Sequence, residues 1–216
     1  MSFQTIFEVQ QSMTVNNRRT VGQQVSRSGQ VRVAQYLTAV PWVFTVVPHN
    51  YLPYATSRDI IQTIDNLDRQ LPETITFSGA NLAWFTEYQG DLTLAQANAL
   101  TLAAVPPANS QIISVGNLPA VASTRVVFKA GDFLQMGQYT YKVREDVLRG
   151  SGTTVSVGLH RPVIGTVSVG TLTNVGNDCT FTVLAEKCPT YTLMPAPGSA
   201  FVQWDEAFVF REDITG

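Results

Sequence analysis

Apolar and polar positions alternate along most of this chain, the period of a β-strand with one buried face. Residues 2–10, SFQTIFEVQ, carry Phe3, Ile6 and Phe7 and predict an opening strand. MTVNNRRTVGQQVSRSGQVRVAQYL is broken by two turn signals, NNRR and SRSGQ. Val31 and Val33 share one face there and Arg32 takes the other, so the segment predicts strand, turn, strand. AVPWVFTVVP is apolar at both parities: Trp42, Phe44 and Val46 on one, Val43 and Val47 on the other, with Thr45. That pattern predicts a strand covered on both sides, bracketed by Pro41 and Pro48. One stretch has the helical period instead. In TSRDIIQTIDNLDRQLPE, residues Ile60, Ile61, Ile64, Leu67 and Leu71 form one stripe. Thr56 or Ser57 can cap it, Asp59 suits its positive end and Pro72 stops it, which predicts an amphipathic helix over about 56–71.

Downstream, ETITFSGANLAWFTEYQGDLTLAQ reads as strand, turn, strand, turn, and AQANALTLAAVPPANSQ stays ambiguous between helix and loop, cut by Pro106 and Pro107. Residues 126–163, VVFKAGDFLQMGQYTYKVREDVLRGSGTTVSVGLHRPV, carry the clearest alternation. They predict strands near 125–129, 132–136, 139–147 and 153–159, with turns at KAGDF and MGQY. In the last third, NVGND and PAPGS mark corners around the alternating CTFTVLAEK and AFVQWDEAFVFRED. Short strands turning every eight to twelve residues or so predict a mostly β chain, an antiparallel barrel or sandwich with one flanking helix. Composition shifts toward Ala, Leu, Pro and Asn near 90–125. That shift suggests a joint between subdomains 1–100 and 101–216, or a looser region in one continuous domain.

Composition sharpens the picture. Hydrophobic residues make up 44% of the 216, enough for a folded core, but charged residues only 14%. A polar surface with few charges suits a subunit that buries much of itself against other chains, because charges are costly to desolvate. Net charge is −2, which gives no general attraction to nucleic acid. The first residues lack the basic start and apolar run of a secretory signal, and no tract is long enough to span a membrane. The chain is therefore expected to be made in the cytosol without a membrane anchor, with Cys179 and Cys188 as free thiols.

Candidate chemistry is thin. His49 and His160 have no neighbour at metal-ligand spacing and no nucleophile in a shared motif. The acidic doublets Asp205-Glu206 and Glu212-Asp213 alternate across a strand, so neither forms a working carboxylate pair by itself. Nucleotide-loop, dinucleotide, hydrolase-elbow and zinc-protease patterns are absent from the sequence. We expect no catalysis and no cofactor. Trp84 and Trp204 offer the alternative of a carbohydrate-binding sandwich, such as a receptor-binding tip.

Within 126–163, Gly131, Asp132, Tyr139, Tyr141, Val143, Asp146, Val147, Gly152, Arg161 and Pro162 resemble a pattern in tail and baseplate proteins of tailed bacteriophages, of the distal-tail, hub-adaptor or tube-initiator type. Residues 27–77, with a Ser-Arg start, a Trp-x-Phe-x-Val strand and a helix, are similar to the N-terminal part of such proteins, and FVQWDEAFVFREDI is similar to their closing strands. The resemblance implies a β-barrel or sandwich of the tail-tube type with one flanking helix. It implies a non-enzymatic virion protein, assembled in the host cytoplasm as a cyclic ring, commonly sixfold. The ring would join the tail tube to the baseplate or tail tip, meeting DNA only as it passes through the lumen. Candidate subunit contacts are Arg18, Arg19 and Arg27, the helix at 57–70, and His160 with Arg161 in GLHRPV. Gly131, Asp132, Gly152 and Pro162 are expected to shape turns.

Overall fold

The computed structural model describes residues 3–18, 21–25, 31–35, 40–66, 71–170 and 173–214. It is mostly β, 39% strand against 16% helix. The expected opening strand is instead a helix, α1 (Phe3–Glu8). Phe3, Ile6 and Phe7 stand at i, i+3 and i+4, and all three are buried. A strand would send Ile6 and Phe7 to opposite faces, whereas a helical turn buries the whole set. Then come β1 (Gln10–Asn16), β2 (Val21–Val25), β3 (Val31–Gln35), β4 (Val43–Pro48) and β5 (Leu52–Pro53). Phe44 and Val46 of β4 are fully buried, whereas Val43 and Thr45 are half-buried and Val47 is exposed, so β4 is fully covered on one face and only partly on the other.

The predicted helix is α2 (Tyr54–Asp65). It starts ahead of its Thr56–Ser57 signal: Pro53 takes the cap position with no side-chain capping bond, and Ser57 is buried. Ile60 and Ile61 enter the core and Ile64 packs against it, while Leu71 is exposed and Leu67 lies outside the described residues. After β6 (Glu73–Thr76), the second strand expected near Trp84 is a single helical turn, α3 (Ala83–Thr86). The ambiguous segment holds α4 (Leu94–Asn98), started by a reciprocal box in which Thr93 and Gln96 bond each other's backbone N–H. One flanking helix thus becomes four among the described residues, three of them only one or two turns long.

The chain continues through β7 (Thr101–Leu102), β8 (Ile112–Gly116), β9 (Val126–Phe128), β10 (Phe133–Met136), β11 (Tyr139–Lys142), β12 (Val147–Leu148), β13 (Val155–Gly158) and β14 (Thr173–Val175). It closes with β15 (Thr180–Lys187), β16 (Tyr191–Ala196), β17 (Ser199–Trp204) and β18 (Phe208–Glu212). The single strand expected over 139–147 is split, with β11 ending at Lys142.

Five strands form an antiparallel sheet in the order β1-β4-β18-β15-β6, curled into a half-barrel. β16, β17 and β5 make a smaller sheet, and β2 and β3 pair with each other. Strands β7 to β14 build three short sheets, β11-β10-β14, β13-β8-β7 and β12-β9. Two hydrophobic cores result. One draws on residues 3–82 and 179–210, with Phe133 as a visitor; the other draws on 92–175. Residues 1–100 and 101–216 therefore do not sort into one core each: the second unit is an insertion, and the C-terminal strands return to the first. Among the described residues no helix is long and apolar enough to cross a membrane.

Candidate functional site

The strongest concentration of buried polar groups joins the two cores. Arg161, just after β13, is 1% exposed. Its Nη2 donates to Glu212 Oε1 at 2.7 Å and to the Thr140 carbonyl at 2.9 Å. Its Nη1 donates to the Val40 carbonyl at 2.6 Å and to Glu212 Oε2. The same Oε2 accepts the Trp42 backbone N–H at 3.0 Å, and the Trp42 indole N–H donates to the Thr140 carbonyl at 2.8 Å. The guanidinium lies 5.1 Å from the Tyr141 ring centre and 6.0 Å from that of Trp42. A planar fork between two aromatic faces and a carboxylate is a use that arginine serves and lysine does not.

Arg161 is thus not a surface contact, as the sequence suggested, but an internal tie. His160 is half-buried beside it and Pro162 is buried after it. His160 Nδ1 accepts the Lys142 N–H at 2.9 Å, and its ring centre sits 4.9 Å from Trp42. Glu212 was missed as a partner, although a signal existed: it shares strand parity with Phe208 and Phe210, which are fully buried. A carboxylate on the apolar face of an alternating strand needs a buried cation.

The Gly-Asp corner is a second built feature. Gly131 has φ of +106°, a backbone region natural to glycine. The buried Asp132 carboxylate accepts the Gln89 N–H and the Lys129 N–H, both at 2.9 Å. It ties the turn before β10 to the chain entering the second unit. Burial pushes its pKa above the ordinary 3.8, opposed by the backbone N–H donors of Lys129 and Gln89. Between those two values the folded chain holds more protons than the unfolded one, so this site's contribution to stability falls as pH rises. Asp132→Asn places an amide N–H₂ where a backbone N–H needs an acceptor. We expect it to lower stability at neutral pH by about 1–3 kcal/mol and to remove that acid-side slope. Urea titrations from acid to neutral pH check both; an unchanged midpoint would contradict the clasp.

Asp91 and Asp146 act in the same way, accepting the backbone N–H groups of Val126 and Ala130 at 2.8 Å. Arg149 clasps the loop holding Gly152, donating to the Gly152 carbonyl at 2.6 Å and the Pro119 carbonyl at 3.0 Å. Much of the sparse charge is therefore spent on fixing backbone.

Arg18 is exposed, its N–H donating to Asn16 Oδ1 at 3.0 Å. Arg19 and Arg27 lie outside the described residues. On α2 the exposed positions include Arg58, Asp59, Gln62 and Asp65. Trp84 is 68% exposed, with its indole N–H donating to the Asn81 carbonyl at 2.9 Å. Trp204 is 7% exposed, packed on Tyr191 and Phe208, and offers no surface platform. Cys179 and Cys188 are not bonded to each other, and burial pushes the Cys179 thiol well up. A cleft of about 340 Å³ lies between residues 105–109 and 163–167, with no ionisable side chain in its wall. Among the described residues, no three His, Cys, Asp or Glu side chains gather as a metal site. Neither protein-family models nor curated proteins gave a match to this chain.

Proposed function

We propose that this protein is a non-enzymatic structural subunit of a bacteriophage tail, forming a ring that joins the tail tube to the baseplate or tail tip. The observation that carries this reading is the half-barrel sheet, which ends in β1 and β6 among the described residues, β6 being met there by the Gln4 side chain of α1 at Thr76, while β2 and β3 pair with each other outside it. Open edges and isolated hairpins are unstable liabilities in a monomer and natural joints in a closed assembly. Cyclic symmetry pairs every such surface with its counterpart on the next copy. The resemblance in residues 126–163 supplies the viral setting, and the polar, weakly charged surface suits repeated subunit contact. The ring is read as sixfold and of the tail-tube type, with DNA passing through and no membrane contact.

Mass photometry of the full chain, alone and with its tube and baseplate neighbours, tests this. A closed particle of integral copy number is expected, alone or templated by the neighbours. A chain that stays single beside an otherwise complete tail would overturn the proposal.

Trp84 supports a second reading, a carbohydrate-binding surface. With its N–H bonded internally, the exposed ring presents an apolar face of the kind that stacks on sugars. A glycan array read with the native chain and with Trp84→Ala decides it: binding lost in the variant favours this reading, and a blank array removes it.

A further inference from the structure

Between the end of α1 and the loop that leads from β6 into α3 lies a second cleft, of about 280 Å³, walled by Glu8, Gly79, Ala80, Asn81 and Leu82. Trp84 stands beside it. Its indole N–H donates to the carbonyl of Asn81, a residue of that wall, at 2.9 Å, and its ring is left exposed. The buried Leu82 gives the cleft its apolar part. The loop is held in shape by the Gly79 carbonyl, which accepts the N–H groups of Leu82 and Ala83 at 2.9 and 2.8 Å.

Glu8 is exposed yet anchored. The Gln4 amide bonds the Thr76 backbone of β6 in both directions, donating to its carbonyl at 3.1 Å and accepting its N–H at 3.0 Å. The same amide donates to Glu8 Oε1 at 3.2 Å. Glu8 Oε2 and Asn81 Oδ1 take no hydrogen bond among the described residues, and Asn81 Nδ2 reaches only the Glu8 carbonyl, at a long 3.5 Å. The cleft thus sets a carboxylate oxygen and an amide, both with bonding capacity to spare, beside an exposed indole.

We propose that this cleft binds one neutral sugar ring of a glycan, with the pyranose against Trp84 and its hydroxyls on Glu8 and Asn81. The inference rests on the carbohydrate reading above and deepens it; the ring reading does not depend on it. A pyranose has an apolar C–H face that lies flat on an indole, and rim hydroxyls that both donate and accept. The carboxylate accepts and the amide does both, so the two side chains match neighbouring hydroxyls. The volume lies at the small end of ligand pockets, about 300–1,000 Å³. Glu8 is the one charge in the wall, and no basic residue joins it among the described residues, so acidic sugars are disfavoured. One carboxylate suits holding a sugar rather than hydrolysing it, which takes a pair. A cation would gain little from a single exposed carboxylate.

The full chain is read on an array of neutral hexose and N-acetylhexosamine oligosaccharides, with oligosaccharides of hexuronic acids as the charged comparison. The oligosaccharide bound best is then titrated calorimetrically into the native chain, Trp84→Ala, Glu8→Gln and Asn81→Ala, each checked for its fold by circular dichroism. Neutral glycans are expected to bind in preference to the acidic ones. Trp84→Ala should weaken binding about tenfold or more, and Glu8→Gln and Asn81→Ala about fivefold or more each.

Binding that falls with Trp84→Ala but is unmoved by both Glu8→Gln and Asn81→Ala would overturn this cleft and leave the carbohydrate reading standing. A blank array, or binding that Trp84→Ala leaves unchanged, would remove both. Hexuronic-acid oligosaccharides bound as tightly as neutral ones would also overturn the inference. Displacement of the glycan by tetramethylammonium chloride, but not by sodium chloride at the same concentration, would assign the cleft to a cation instead.

Discussion

Arg161→Ala is expected to be among the most destabilising single changes in this protein, costing about 3–5 kcal/mol. The loss is larger than the worth of the ion pair itself. Removing the guanidinium leaves the Glu212 carboxylate buried without its cation, takes the arginine donor from the Val40 carbonyl, and leaves the Thr140 carbonyl with the Trp42 indole N–H. Glu212→Gln should cost less than Arg161→Ala, since the amide still offers an oxygen to the Trp42 N–H. Arg161→Lys keeps the charge but not the planar fork, and a single ammonium cannot serve both Glu212 oxygens and both carbonyls. The double variant Arg161→Met, Glu212→Leu should recover much of the loss relative to Arg161→Ala, because no uncompensated charge remains. Denaturant midpoints of the four variants form the measurement. If Arg161→Ala lies within about 1 kcal/mol of the native chain, the tie is not what joins the cores.

Gly176→Ala is expected to cost about 2–4 kcal/mol, against about 1 kcal/mol for Gly137→Ala. Both glycines sit in the left-handed region, with φ of +66° and +60°. They differ in surroundings. A Cβ on Gly137 meets nothing within 4 Å, whereas one on Gly176 stands 2.9 Å from Tyr88 Cβ and 3.1 Å from the Tyr88 backbone nitrogen. Tyr88 lies where the chain leaves the first unit, and Gly176 lies where it returns. Thr86 Oγ1 donates to Asn177 Oδ1 across the same crossing at 2.9 Å, and the Tyr88 hydroxyl donates to the Val127 carbonyl. The Gly137 variant therefore isolates the backbone cost, and the difference between the two reports the tightness of the crossing. Thermal melting of both variants measures it; equal shifts would mean that the two passages are not packed together.

Local pattern carried a good part of the fold. Alternation in 126–163 placed β9, β10, β11 and β13 close to their observed positions, because a strand with one buried face writes its period directly into the sequence. The corners at Gly131 and Gly198 were legible for a related reason: positive φ selects glycine. α2 was legible from its isoleucines, though not its start, since Pro53 begins it without the side-chain cap that the pattern suggested. α1 was misread because six residues hold too few positions to separate the two periods. Thr93 and Gln96 had the spacing of a capping box, and reading it would have resolved α4.

The site was less legible, and the physics explains why. Asp132 as a turn-former could be read locally, because one of its donors, Lys129, lies three residues away. Its second donor, Gln89, is remote in sequence. Arg161 and Glu212 are 51 residues apart and share no motif; they meet because β18 returns to the half-barrel sheet beside β4. By itself, the sequence determined that the chain is mostly β and where many of its strands and corners fall, since these depend on neighbours within a few residues. Only the tertiary structure decided that residues 92–175 form an inserted core, that Arg161 is an internal tie, and that β2 and β3 stand as a pair of their own. Those outcomes depend on which distant segments exclude water together, and no local period encodes that choice.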